Sequence, residues 1–232
     1  MSERALLVSI GDLPVGELRE QNGVWTFQYS DTWLRFDGRH TLSPHLPLQR
    51  EPFIDGASVR PVQWYFDNLL PEEGQRTLLA ADARLDAADA FGLLSWYGAE
   101  TAGSLTLLPP DAPANAGAEA LRTLSDAELS QRIRQLPRVP LTHGAVKRMS
   151  LAGAQHKLAV VMRDGVLYEP SGASASLHIL KPEHPDPDYP HSVANEWFVM
   201  RLAAESGLAV PPVHRRYVPE PAYIVDRFDR IV

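Results

Sequence analysis

Apolar and polar positions in the first third of the chain fall into short runs with strand character. "ALLVSI", "VWTFQYS" and "WLRF" are rich in branched and aromatic residues, and the turn formers Gly11-Asp12, Asn22-Gly23 and Asp37-Gly38 separate them. The pattern predicts a β-rich opening. Longer segments follow, "PVQWYFDNLLPEE", "EGQRTLLAADARL" and "AADAFGLLSWYG", whose spacing predicts helices. A last strand, "GSLTLL", ends at Pro109-Pro110, and "PPDAPANAGAEA" has the composition of a linker. "SDAELSQRIRQL" then predicts a helix with Ser125 as N-cap and Glu128 at the reciprocal capping position.

The second half changes rhythm. "KLAVVM" and "VLYEP" flank Arg163-Asp164-Gly165, a hairpin signal. "SLHIL" predicts a third strand, ending on Lys181-Pro182. After the proline-rich "PEHPDPDYPH" a helix is expected from about Ser192 to Ser206, with an apolar stripe at Val193, Trp197, Met200 and Ala204 and with Gly207 at C′. Two further strands, "HRRYV" and "AYIVDRF", complete a small lobe. The expected fold class is α+β: a β-rich N-terminal domain with helices (residues 1–110), a linker and helix (111–140), and a lobe of antiparallel strands plus one helix (141–232).

Composition narrows the classes. A chain of 232 residues with 44% hydrophobic positions suits one large or two modest globular domains. No apolar run approaches a membrane span, and the N-terminus lacks a signal-peptide pattern. The absence of cysteine excludes disulfides and thiolate metal sites and fits a reducing cytoplasm. The net charge of −7 conceals an asymmetry: Leu129 to Arg163 holds no Asp or Glu, yet seven basic residues. Such a segment is either a polyanion contact or a solvated helix and linker.

Lysine usage sharpens this. The chain has three lysines, Lys147, Lys157 and Lys181, and carries its other positive charge on arginine. Lysine is a compact point charge on a flexible stem, which suits phosphate. "SLAGAQHK", Ser150 to Lys157, is a turn of small residues feeding a strand. There Gly153 can take positive φ, and Ala152 and Ala154 allow close backbone approach. It is neither a Walker motif nor a GxGxxG, and an ordinary loop would look similar. Lys181 at the end of a strand and Glu196 in the following helix are the parts of an ion pair that can hold a lysine over nucleotide phosphates. "YIVDRFDR" is a strand reaching a lobe edge, able to offer backbone groups to an adenine. The order of these parts matches a kinase N-lobe.

"MSLAGAQHKLAVV", "LHILKP", "VANEWFVMRLAAESGLAVP" and "IVDRFDR" resemble successive blocks of the HipA family of bacterial serine/threonine kinases, the toxins of HipBA-type toxin–antitoxin modules. Upstream, "WYFDNLLPEEGQR" and "FGLLSWYGAETAGSLTLLP" resemble that family's N-terminal domain. The resemblance implies that Ala152, Gly153, Ala154, Gln155, His156 and Lys157 line the ATP phosphates. It implies that Lys181, positioned by Glu196, contacts them, that Asp226, Arg227 and Phe228 form the hinge, and that Ser150 is a site of inactivating autophosphorylation. Two departures stand out: Leu177 where the family often has threonine, and Asp226 where it often has glutamate. The implied cofactors are ATP and Mg²⁺. The implied partners are a HipB-like DNA-binding antitoxin, with DNA met only through it, and a protein substrate such as an aminoacyl-tRNA synthetase; no membrane is involved.

The catalytic carboxylate and metal ligands of the family lie in a C-lobe downstream of the hinge. The expectation is therefore a truncated kinase, inactive alone, with no catalytic or metal-binding residue of its own. The competing reading is a non-catalytic fragment that binds an antitoxin or a complementary kinase portion. Direct nucleic-acid binding through residues 129–163 ranks behind both. His184, Asp186, Asp188 and His191 match no standard metal spacing and read as a solvated loop. "WYFDNLL" reads as a core-facing helix, and Ser95 and Ser104 join no nucleophile–base motif.

Overall fold

The computed structural model describes residues 3–112, 120–145, 149, 151–172 and 174–230. In chain order the elements are β1 (Arg4–Ile10), β2 (Leu13–Gln21), β3 (Val24–Tyr29), α1 (Asp31–Arg35), β4 (Phe53–Ile54), α2 (Pro61–Asp67), α3 (Glu73–Ala83), α4 (Ala90–Tyr97) and β5 (Leu105–Leu108). They continue with β6 (Ala120–Thr123), α5 (Asp126–Arg134), β7 (Leu158–Arg163), β8 (Val166–Ser171), β9 (His178–Pro182), α6 (Ser192–Glu205), β10 (Val213–Tyr217) and β11 (Pro221–Asp226). The fold is α+β. Packing divides it into a first unit (residues up to 71, 85–112, 149 and 151–152) and a second (72–84, 120–145 and 153–230). No described helix is long and apolar enough to cross a membrane.

In the first unit a five-stranded sheet runs β4-β3-β2-β1-β5 with antiparallel pairing throughout. The predicted turn at Asn22-Gly23 has positive φ at both residues, as a two-residue hairpin between right-twisted strands requires. Leu6, Leu18, Phe27 and Leu107 point into a core closed by Phe66 of α2 and Phe91 of α4. Phe91 meets Trp25 edge to face at 5.2 Å. "WLRF", expected as a strand, is instead part of α1: Ser30 caps it by accepting from the Trp33 N–H at 2.9 Å, and Trp33 is fully buried. β2 was not foreseen, because its buried positions, Val15, Gly16, Leu18 and Glu20, include a glycine and a carboxylate. "PVQWYFDNLLPEE" divides into α2 and the start of α3 at Pro71.

The second unit holds a six-stranded antiparallel sheet, β10-β11-β9-β7-β8-β6. β11, expected at an edge, is interior: it pairs with β10 on one side and β9 on the other. The strand therefore leaves no unpaired edge of its own. One sheet face carries the core: Leu158, Val160, Leu167, Leu180, Ala222 and Ile224 pack against Leu129 and Ile133 of α5. On the other face lies α6, whose predicted stripe is only partly inward: Val193 is buried, Trp197 and Met200 are half-buried, and Ala204 is exposed.

Glu169 of β8 has a fully buried carboxylate, and this decides how α5 is fixed. Arg132 of α5 reaches it at 2.6 Å, and Arg122 of β6 donates to its other oxygen. Glu128 does not close the capping box; it is gripped by Arg122 at 2.8 and 3.0 Å and by Arg132 at 2.6 Å. The hydrogen bond from Arg122 holds the Glu128 carboxyl below its ordinary range. Ser125 does cap α5, accepting from the Glu128 N–H at 3.2 Å. Removing one cation leaves a buried carboxylate incompletely compensated. Arg132→Met is therefore expected to destabilise the second unit by about 3 kcal/mol, while a joint apolar replacement of Arg132 and Glu169 recovers much of that loss. Urea unfolding of the three proteins measures it, and a single-variant loss below about 1 kcal/mol contradicts the account.

Candidate nucleotide site

Lys181 and Glu196 meet. β9 alternates: His178, Leu180 and Pro182 are buried toward the α5 side, so Ile179 and Lys181 face α6. The Lys181 Nζ lies 2.6 Å from Glu196 Oε2, each side chain about one-quarter exposed at 24% and 28%. Tyr223, opposite Lys181 in the β9–β11 register, presents its ring 5.7 Å from the same ammonium. Burial, with Glu196 adding to it, pushes the Tyr223 phenol up to about 12. It stays a neutral wall at any ordinary pH.

The small-residue turn converges on this pair. Gly153 has φ +99°, a conformation side chains rarely adopt, and a Cβ built there would come within 2.9 Å of Lys157 Nζ. The Lys157 ammonium thus lies over bare backbone, in the space that any other residue at 153 would fill. Burial pushes the Lys157 ammonium below its ordinary pKa, and the nearby Lys181 pushes the same way, while Glu196 and Glu72 oppose them. Two ammonium groups set to repel one another beside a glycine that carries no side chain suit a polyanion.

Not every predicted residue joins them. His156 is buried on the far side of the turn, with Gln75 Nε2 of α3 at 2.7 Å from Nδ1 and 2.9 Å from Nε2. With Ala154 it lines a separate cavity of about 780 Å³ shared with α3 and with His184 and Tyr189. It therefore anchors the turn rather than meeting phosphate. Ala152 is half-buried among the last residues of the first unit, Gln155 is half-buried, and Ser150 and Lys147 lie outside the described residues.

At the end of β11, Asp226, Arg227 and Phe228 line a cavity of about 500 Å³ together with Lys181 and Glu196. Their side chains differ in use. Arg227 is buried, bonded to Asp229 at 2.9 and 2.6 Å and to the Ser176 hydroxyl at 2.9 Å. Asp226 Oδ1 sits 3.4 Å from Nε2 of both His178 and His214. Because His178 Nδ1 accepts the Met162 N–H at 3.1 Å, the neutral ring carries its proton on Nε2, toward Asp226. That tautomer cannot ligate a metal through Nε2, and no metal-binding cluster occurs among the described residues. Asp226 thus faces the two histidines, while Asp229 is bonded to Arg227. Phe228 is exposed. His178 and His214 had no signal in the sequence, since their meeting at Asp226 depends on the strand register, and Gln75 had none because α3 is remote from the turn in sequence.

Residues 6–108 match the HipA N-terminal domain, and residues 149–232 match the HipA-like C-terminal domain. The chain belongs to the HipA family. It is 39% identical to the Y4mE protein of Sinorhizobium fredii, over 99% of this chain and 55% of that protein. It is 32% identical to the serine/threonine-protein kinase toxin HipA of Shewanella oneidensis, over 97% of this chain and 50% of that one. The solved complex of HipA, HipB and operator DNA from that organism matches with a TM-score of 0.75 and 28% identity, over 98% of this chain and 51% of the HipA chain. The chain thus spans about half the length of the HipA relatives it matches.

His156 gives the site a measurable pH dependence. Burial holds it at about 4, against an ordinary value of 6.5. Its neutral form is the folded one, so the unfolded chain binds the proton first as pH falls. The stability this contributes is complete above pH 6.5 and is lost progressively down to about pH 4. Denaturant midpoints measured from pH 7 to pH 4 should fall, and His156→Gln should flatten the profile in that window. An unchanged profile contradicts the buried neutral ring.

Proposed function

We propose that this chain is the nucleotide-binding portion of a HipA-type serine/threonine kinase toxin, and that it binds ATP between the 153–157 turn, Lys181 and the backbone of residues 226–228. The observation that carries the reading is the convergence of Lys157 and Lys181 on an uncovered glycine turn, with Lys181 held by Glu196. In phosphoryl transfer such a pair fixes a lysine over the phosphates, and catalysis is mainly positioning and charge stabilisation. The turn leaves backbone accessible to phosphate oxygens, Lys157 and Lys181 neutralise them, and the apolar wall beside β11 receives the base.

Mg²⁺ supplies charge neutralisation during transfer when it is bound. Of the described carboxylates near the site, Glu196 is paired with Lys181 and Asp229 with Arg227, Asp226 faces two histidines at 3.4 Å, and Glu72 lies near Lys157. None is arranged to hold Mg²⁺ or to orient an attacking hydroxyl. Residues 1–232 by themselves therefore bind nucleotide without transferring phosphate. The groups for transfer, and the protein substrate, belong to the half of the relatives this chain does not span. A HipB-like antitoxin is the partner the reading implies, given that the structural relative is solved with HipB and operator DNA. Phosphate on Ser150 would add about −1.5 to −2 charge beside the turn and so weaken ATP binding.

Calorimetric titration of residues 1–232 with ATP tests this. Saturable binding is expected, and Lys181→Met should weaken it at least about tenfold, the loss of one desolvated charge–phosphate contact. Lys181→Arg should also weaken it, because a planar fork does not fit the place of a point charge. Unaltered ATP affinity in Lys181→Met overturns the assignment. Label transfer from ATP to a protein acceptor by residues 1–232 alone would show catalytic groups in this chain.

A further inference from the structure

By sequence α3 belongs to the N-terminal family domain, which residues 6–108 match, yet it packs in the second unit. There it meets the small-residue turn at two points. The Glu72 N–H, at the entry to α3, faces the Gly153 carbonyl at 3.5 Å. The Gln75 amide nitrogen reaches both ring nitrogens of His156, at 2.7 and 2.9 Å. Farther along the helix, Asp82 pairs with His143 at 2.6 Å, which ties α3 to the segment after α5.

The Gln75–His156 contact is chemically one-sided. The ring is buried and neutral, held at about 4 by burial, with His184 pushing the same way. A neutral imidazole keeps one nitrogen free to accept, so the Gln75 amide N–H can donate to it; an imidazolium offers no acceptor. The other titratable groups described around this cavity are Glu73 of α3 and His184, Asp186 and Tyr189 after β9. His156 and Lys157 are neighbours in an extended segment, so a ring fixed on the α3 side turns the Lys157 ammonium the other way, over Gly153. We propose that Gln75 is a positioning residue for nucleotide binding: acting through His156, it holds the 153–157 turn in its phosphate-receiving form before the nucleotide arrives. A turn released from α3 spends less time in that form, and apparent affinity falls by the same fraction. The inference rests on the nucleotide reading above and adds a helix of the N-terminal family domain to that site.

ATP titrations of residues 1–232 test it. Gln75→Leu removes the donor at similar size and should weaken ATP about fivefold, the scale of one neutral hydrogen bond. Thr77→Ala, also on α3 but bonded only within the helix, should leave affinity unchanged. Gln75→Glu gives the ring a partner again, now one that accepts from it. It should recover affinity to within about twofold of wild type and raise the pH at which His156 titrates, read by NMR, by about one or more. In a His156→Leu background, Gln75→Leu should cost nothing further. Unchanged affinity in Gln75→Leu, with Lys181→Met still weakening ATP, overturns this inference and leaves the nucleotide reading standing. A loss that Thr77→Ala shares, that Gln75→Glu does not recover, or that persists in the His156→Leu background means helix support alone and also overturns it. If His156→Leu does not fold, recovery by Gln75→Glu decides. Wild-type protein that binds no ATP overturns the nucleotide reading and this inference with it.

Discussion

Strand β9 lies third in its sheet, with β11 on one side and β7 on the other, and its alternation decides what the second unit can do. Leu180 is fully buried in the core beneath α5, so Lys181 must emerge on the opposite face. A slip of one residue would drive the ammonium into that core and expose Leu180. The apolar demand of one face thus fixes the charge on the other. The same logic runs through β11, where Ile224 is buried with Leu180 and Tyr223 stands beside Lys181. The core on the far side sets the face from which the lysine emerges, and Glu196 sets where its ammonium rests.

Arginine and lysine are used for different work. Arg122 and Arg132 close on Glu128 and Glu169 with forked, multiply bonded geometry, which a guanidinium supplies and an ammonium cannot. Buried ion pairs of this kind add little net stability, yet they tolerate no loss of one partner, so they fix how α5 and β6 meet β8. The seven basic residues between 129 and 163 include Arg132, spent inside this network, and Arg134, paired with Glu220 at 2.7 Å. A basic residue of that run is therefore not by itself a free surface charge, as Arg132 shows. Lys157 and Lys181, by contrast, lie close enough to act on one another's charge beside the Gly153 turn.

Much of this could be read in advance where chemistry is local. Asn22-Gly23 and Asp164-Gly165 both take positive φ at both turn positions, Ser125 caps α5, and Gly207 ends α6 with φ +85°. The Lys181–Glu196 pair was also legible, because a strand end and the next helix leave few other partners for the two charges. What escaped was set at long range. "WLRF" reads as strand by residue type, but the Ser30 cap and burial of Trp33 make it helical. β11 looked like an edge because its second neighbour, β10, precedes it in the sequence as a polar strand, "VHRRY". His156 looked like part of the phosphate turn because it adjoins Lys157. Adjacent residues in an extended segment point to opposite sides, and α3 lies on its side.

α6 shows how weakly the business side of the sheet is held. Of its apolar residues only Val193 is fully buried, while Phe198, Val199 and Leu202 are each more than half exposed at 59%, 51% and 54%. Polar contacts supplement this packing. At the N-terminus Ser192 is bonded to Glu183 and accepts the His184 N–H at 2.9 Å. Further along, Glu196 makes a partly exposed ion pair with Lys181, of a kind contributing about 0–1 kcal/mol, and Arg215 stacks at 3.8 Å on Trp197, worth about 0.5–1 kcal/mol. An anion at Lys181 would share its ammonium with Glu196, so a ligand there and the docking of α6 would draw on the same ion pair, and whatever free energy one takes from it the other loses.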